Sequence, residues 1–231
     1  MPGAVRLPQF APRRETEPVA DLTAVTVVHR AQRTDIRRLA DAVGALADGQ
    51  GADACRVGAL QEYLNGMGHC IQNGRRINRD VLVPLLLELG ADIGGLSERQ
   101  HHDDVLVALL SRTRALLPQL HGEPPGHQSA GEVHQTLEAL VAAVEAAVAD
   151  DERILLPLVS RHLTPESLHW VQTQCHRGLR PQLLPFIVPW LLSHATEIER
   201  ERICSRTPLP VAAIMKTFGS SFLATRQAAF G

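Results

Sequence analysis

Apolar residues recur at intervals of three and four through four long stretches of the chain, the spacing of one helix face. The first predicted helix, about 21–48, carries Leu22, Val25, His29, Gln32, Ile36, Leu39, Val43 and Leu46, so a histidine and a glutamine stand where leucines are expected. The second runs from a turn at 48–53 to about 89 and carries Val57, Leu60, Leu64, Met67, Ile71, Leu82 and Leu85. Between Ile71 and Leu82 its face passes through Gly74 and Asn78, a missing side chain and an amide. The third opens at Ser97-Glu98-Arg99-Gln100, a capping-box signature, with His102, Val105, Leu109, Arg112 or Thr113, and Leu116 as its stripe. His101, one residue away, competes with His102 for the inner position. The fourth, about 130–162, has the clearest stripe: Val133, Leu137, Leu140, Val144, Ala147, Asp151, Leu155 and Leu158.

What lies between and beyond these stretches is consistent with four helices and a tail. Glycine- and proline-rich breaks fall at 90–95 and 122–126, and Thr164-Pro165-Glu166 has the cap, proline and acid of a helix start. The Gly/Asn-rich middle of the second helix, 65–80, and Pro84 after it predict a kink or local unwinding. The expected fold is all-α: a flexible arm over 1–20, an antiparallel up-down four-helix bundle over 21–163, and a helical C-terminal extension over 164–231 packed on the bundle. Arg30, Arg33, Arg37 and Arg38 read as a solvated face. Tyr63 falls one residue off its stripe and reads as a helix flank, and Trp170 and Trp190 as packing of the tail.

Composition narrows the function classes. A net charge of -2 and 3% aromatic residues argue against a nucleic-acid surface. No stretch approaches the apolar length of a membrane span, and the four cysteines form no CxxC or zinc spacing, so the expectation is a cytoplasmic protein without membrane contact. No nucleophile elbow, phosphate loop or dinucleotide fingerprint is present, and no catalytic residue is assigned.

The polar seam residues fall near mid-helix on different helices and converge at one level of an antiparallel bundle, where bundles build ligand and metal sites. In this the sequence resembles the hemerythrin-like, HHE cation-binding family. The shared phrases are His29-Arg30-Ala31 with Asp35 and Leu39, Leu82-Val83-Pro84-Leu85-Leu86, Asp150-Asp151-Glu152-Arg153 through Leu156-Pro157-Leu158-Val159, and His162-Leu163 through Trp170 with Pro189-Trp190-Leu191-Leu192. The resemblance implies a di-iron centre held by a His from helix one, His-x-x-x-Glu from helix two, His from helix three and His-x-x-x-Glu from helix four. Aligned on the two proline endings, the helix-two pair falls on Gly74 and Asn78 and the helix-four pair on Ala147 and Asp151. A standard di-iron centre is therefore not expected.

Three functions follow. The first is a core pocket for a small molecule, with or without catalysis, formed by Gln32, Ile71, Gly74, Arg75, Asn78, Val105, Val144 and Ala147 beside Val25 and the seam histidines. The second is one iron or other divalent metal, or a residual di-iron site, on His29, His102 and Asp151, two imidazoles and a carboxylate. The third is a metal-free scaffold for a protein partner, with arginines and aspartates replacing the metal. Arg75, Arg76 and Arg79 are expected to pair with Asp150, Asp151 or Glu152, the alternative being that they attract an anionic ligand.

Overall fold

The computed structural model describes residues 7–48, 53–121, 128–207 and 210–231, without the side chains of Ser97, Glu98 and Gln128. The break at 122–126, parts of the arm and of the turn at 48–53, and the Ser97 and Glu98 side chains of the capping-box signature thus lie outside the described residues. The described residues form ten α-helices and no strand. Four long rods make the bundle: α1 (Thr23–Ala47); α2 (Ala54–Ile77) continued by α3 (Val83–Glu88); α4 (Leu96–Leu116); and α5 (Gln128–Asp150) continued by α6 (Leu156–His162). The tail adds α7 (Pro165–Gly178), α8 (Leu184–Ser193), α9 (Glu197–Arg206) and α10 (Val211–Phe230).

Local chemistry places several of the boundaries. The Asp53 side chain accepts from Arg56 N and caps α2, and Thr164 accepts from Ser167 N ahead of Pro165 in α7. Thr196 and Glu199 form a reciprocal capping box at α9. Gly90 adopts φ +79°, the left-handed conformation that lets the chain leave α3 while Ala91 N donates to Leu86 O.

The second and fourth rods each contain one wide π-helical turn, at Asn78–Leu82 and Asp151–Leu155, with Val83 N donating to Asn78 O and Leu156 N to Asp151 O. Pro84 and Pro157 follow immediately. A proline in a helix has no N–H to donate and its ring crowds the carbonyl four residues back. Shifting one turn to the five-residue register moves that carbonyl aside. The disruption expected over 65–80 is confined to the end of that range, at Asn78–Leu82: α2 is helical through Gly66, Gly68 and Gly74. Gly66 serves close packing, because a Cβ there would land in the ring of Phe186.

The stripes of the first, second and fourth rods are buried largely as expected. The third is offset by one residue. Its inner face is Arg99, Asp103, Leu106, Leu110, Thr113 and Leu117, whereas Val105 is 40% exposed. Tyr63 is also corrected, from flank to core: it is fully buried because α8 and α10 pack along α2 and bring Phe186, Phe222 and Phe230 around its ring. Trp190 is fully buried, and Phe10 of the N-terminal arm packs edge-on against Trp170. Arg13 N donates to His162 O, so the described part of the arm is tied to the end of α6. No helix among the described residues is long and apolar enough to cross a membrane.

Candidate functional site

All four rods send polar or charged side chains to one level of the bundle interior. Arg75 of α2 reaches Asp151 Oδ2 at 2.6 Å and Asp103 Oδ1 of α4 at 3.0 Å. Arg99 Nε of α4 donates to Asp151 Oδ1 at 2.8 Å and its guanidinium also lies 3.4 Å from Asp103. His29 Nε2 of α1 lies 3.6 Å from Asp151 Oδ2, and its Nδ1 lies 3.4 Å from Glu152 without the alignment of a hydrogen bond. Every member of this cluster except Glu152 is buried.

In the buried part of the cluster two guanidinium groups face two carboxylates, so their formal charges balance, and the exposed Glu152 is paired with Arg33. Buried charge is tolerated only in such an arrangement. Burial pushes the Asp151 carboxyl up, but Arg75, His29 and Arg99 outweigh it and hold the group well below the usual carboxylate range. For Asp103 burial wins over Arg75 and Arg99, and the carboxyl is raised.

Beside the cluster runs a cavity of about 270 Å³, partly open to solvent. Its walls are overwhelmingly aliphatic: Val25 and Val28 from α1, Ile71 from α2, Leu155 and Val159 from the fourth rod, Val171 from α7 and Val188 from α8. Its buried end is made by His29, Gln32, Gly74, Arg75, Asn78 and Asp151. A Cβ built on Gly74 would meet nothing within 4 Å. Gln32 is 4% exposed, and neither its amide nor that of Asn78 hydrogen-bonds to another described residue. His29 Nδ1 is likewise buried without a bond. Buried polar groups ordinarily have partners, and one left without costs about 1–3 kcal/mol. Two such groups, His29 Nδ1 and Gln32, line one end of an apolar cavity, with the half-buried Asn78 amide beside them.

Of the pocket residues expected from sequence, Gln32, Ile71, Gly74, Arg75 and Asn78 line this cavity, as does Val25. Val144 and Ala147 are fully buried in the core but do not line it. Val105 is corrected to the surface by the offset of α4. Of the expected metal ligands, His29 and Asp151 are brought together. His102 turns away, its Nδ1 2.7 Å from Asp150 Oδ2, and is partly exposed. Asp150, by that bond and by Arg153, is held below the carboxylate range against the effect of burial. Arg75 pairs with Asp151 as expected, while Arg76 bonds to Asn73 and Arg79 to Asp80.

The donor set does not fit a di-iron centre. Both Asp151 oxygens are taken by guanidinium groups, and a cation bound there would lie against Arg75 and Arg99. No group of three or more His, Cys, Asp or Glu among the described residues is arranged to hold a metal ion.

Arg99 and Asp103 were missed from sequence, although an Arg and an Asp four residues apart on one helix were visible there. A second buried hub, Asp35, was also missed as a site. Its Oδ2 accepts from Tyr63 Oη at 2.6 Å, Trp190 Nε1 at 2.9 Å and His194 Nε2 at 2.8 Å, and its Oδ1 accepts from Arg38 at 3.1 Å. A carboxylate can only accept, so the His194 proton sits on Nε2. Burial pushes the Asp35 carboxyl up, but the donors His194, Tyr63 and Trp190 outweigh it and lower it. The hub ties α1, α2 and α8 together.

Comparison of the chain with protein-family models, curated proteins and solved structures returns no match.

Proposed function

We propose that this chain is a hemerythrin-like bundle repurposed to bind a small, mainly apolar molecule in its core. The observation that carries this is the pairing of an aliphatic cavity with polar atoms that make no hydrogen bond, the Gln32 and Asn78 amides and His29 Nδ1, at its inner end. Small-molecule sites have this composition: mostly apolar walls with a few placed polar groups that fix orientation. The cavity is somewhat below the usual size range. An apolar cavity of ~150 Å³ holds benzene, so about 270 Å³ scales to a ligand of about eleven non-hydrogen atoms.

The polar group on the ligand is neutral. Arg75 and Arg99 are already matched by Asp103 and Asp151, so the buried end has no free charge to attract an ion. A hydroxyl or carbonyl suits two amides and an imidazole, since each can donate or accept. All four cysteines are free thiols, which suits a reducing compartment such as the cytoplasm.

The test is thermal stabilisation and calorimetric titration with primary alcohols of six to ten carbons. The expected result is binding that peaks near 1-octanol, weakens about tenfold in Gln32→Leu, and disappears in Gly74→Leu, whose side chain enters the cavity. Absence of binding across the series would refute the proposal.

A further inference from the structure

The open end of the cavity has a different electrostatic character from the buried end. It is lined by Arg202 and Arg206, four residues apart on α9, and by Asp21 ahead of α1. Arg206 pairs with Asp21 at 3.0 Å. Asp21 is in addition held by Thr23, whose N and Oγ1 donate to it at 2.9 and 2.6 Å. Arg202 is exposed, and its guanidinium makes no hydrogen bond or close ion pair among the described residues. It feels Asp21 only at longer range. The rim therefore carries two positive charges against one negative, while the buried end is balanced.

From Thr23 at the rim to Gln32 at the buried end is nine residues of α1, about 14 Å at ~1.5 Å per residue. An unbranched chain of eight to ten carbons with a polar group hydrogen-bonded at each end is comparable with that length.

Resting on the proposal that the cavity binds a ligand through His29, Gln32 and Asn78, we infer that the ligand is a medium-chain carboxylate: its neutral hydroxyl or oxo group sits at the buried amides, its aliphatic body lies along the cavity, and its carboxylate sits at the rim against Arg202. The balanced charges inside and the surplus charge outside leave one orientation. An acid driven inward would need a counter-charge that Arg75 and Arg99 have already committed to Asp103 and Asp151. At the rim, Arg202 offers a planar donor fork that fits a carboxylate.

The experiment compares 8-hydroxyoctanoate, octanoate and 1-octanol on the full chain by calorimetry. The wild-type protein is expected to bind 8-hydroxyoctanoate about fivefold more tightly than 1-octanol, the size of an exposed ion pair, and more tightly than octanoate, which lacks the buried hydroxyl. Arg202→Gln, an exposed substitution, should remove the preference for the acid, read as the ratio of 8-hydroxyoctanoate to 1-octanol affinity in each protein. Raised salt should erode the same preference. Equal affinity for hydroxy acid and alcohol in the wild type, or an equal loss for both in Arg202→Gln, would overturn the carboxylate assignment while the cavity proposal stands. Binding of none of the three would overturn both.

Discussion

Two glycines on one helix, Gly66 and Gly74, should respond in opposite directions to the same substitution. Both lie inside α2, and neither has a positive φ. Replacing a mid-helix glycine by alanine stabilises by roughly 0.5–1 kcal/mol through the lower entropy of the unfolded chain and better helix propensity. At Gly74 the new methyl meets nothing within 4 Å, so the full gain should appear. In a domain of this size ~1 kcal/mol corresponds to a rise in Tm of about 2–4 °C. At Gly66 the methyl would land in the ring of Phe186, itself wedged between Tyr63 and Phe222. Overpacking of this kind costs about 1–3 kcal/mol, which exceeds the propensity gain, so Gly66→Ala should lose about 1–2 kcal/mol net. Urea unfolding of the two variants beside wild type measures both. A destabilised Gly74→Ala would mean that the space beside Gly74 is filled by protein, and the cavity argument would fall with it.

Three further outcomes follow from the buried charges. Arg75→Met and Asp151→Leu should each cost about 3–5 kcal/mol, because each leaves charge buried without its partner. The double variant, which keeps Arg99 paired with Asp103, should cost clearly less than the sum; additive costs in denaturant unfolding would show that the pair is not coupled. Asp35→Ala strands Tyr63, Trp190 and His194 and should cost about 3–5 kcal/mol, with amide exchange quickening in α8 before the bundle helices; uniform exchange would deny the hub its local role. Asp35, Asp150 and Asp151 all have depressed folded-state values, so their stabilisation is present above the unfolded carboxylate range near ~4 and is lost as pH falls below it. Asp103, raised, works the other way and offsets a part. Tm should therefore fall as pH drops below about 4, and a flat profile from pH 7 to 3 would contradict the geometry of both hubs.

Much of the architecture was legible because apolar periodicity reports a buried face directly. It held for α1, for α2 with α3, and for α5 with α6. It slipped by one residue on α4, where the inner positions at the site level are Arg99 and Asp103 rather than apolar side chains. A pattern that places hydrophobic residues inside had to reject two charges, and only the facing Arg75 and Asp151 make them acceptable there. Tyr63 was misplaced for a related reason: its burial is supplied by α8 and α10, which lie more than 100 residues downstream. The buried end of the cavity was readable from interruptions in the stripes, namely His29, Gln32, Gly74 and Asn78. The rim was not, because Arg202 and Arg206 reach it through the docking of α9, and helix docking leaves no local signal in a charged segment.

Cavity and charge cluster are two consequences of the same set of side chains. A bundle that buries Asp151 must supply positive charge at that level, and here Arg75 and Arg99 supply it. Two guanidinium groups overcompensate a single carboxylate, so Asp103 restores the balance. Arg75 extends towards the third and fourth rods, and the absence of a side chain on its neighbour Gly74 leaves open volume in the cavity. Arg75 and Asp151 thus belong to both structures: paired with each other, they also line the buried end of the cavity. A ligand there meets polar atoms but no uncompensated charge. Any substitution that unbalances the cluster should therefore change which ligands are admitted. Asp103→Asn removes one negative charge and leaves the two guanidinium groups facing Asp151 alone. It should raise affinity for an acid at the buried end relative to the matching alcohol, even in an Arg202→Gln background. If that double variant still prefers 1-octanol over octanoate as strongly as Arg202→Gln does, the charge balance of the cluster does not govern what the cavity accepts.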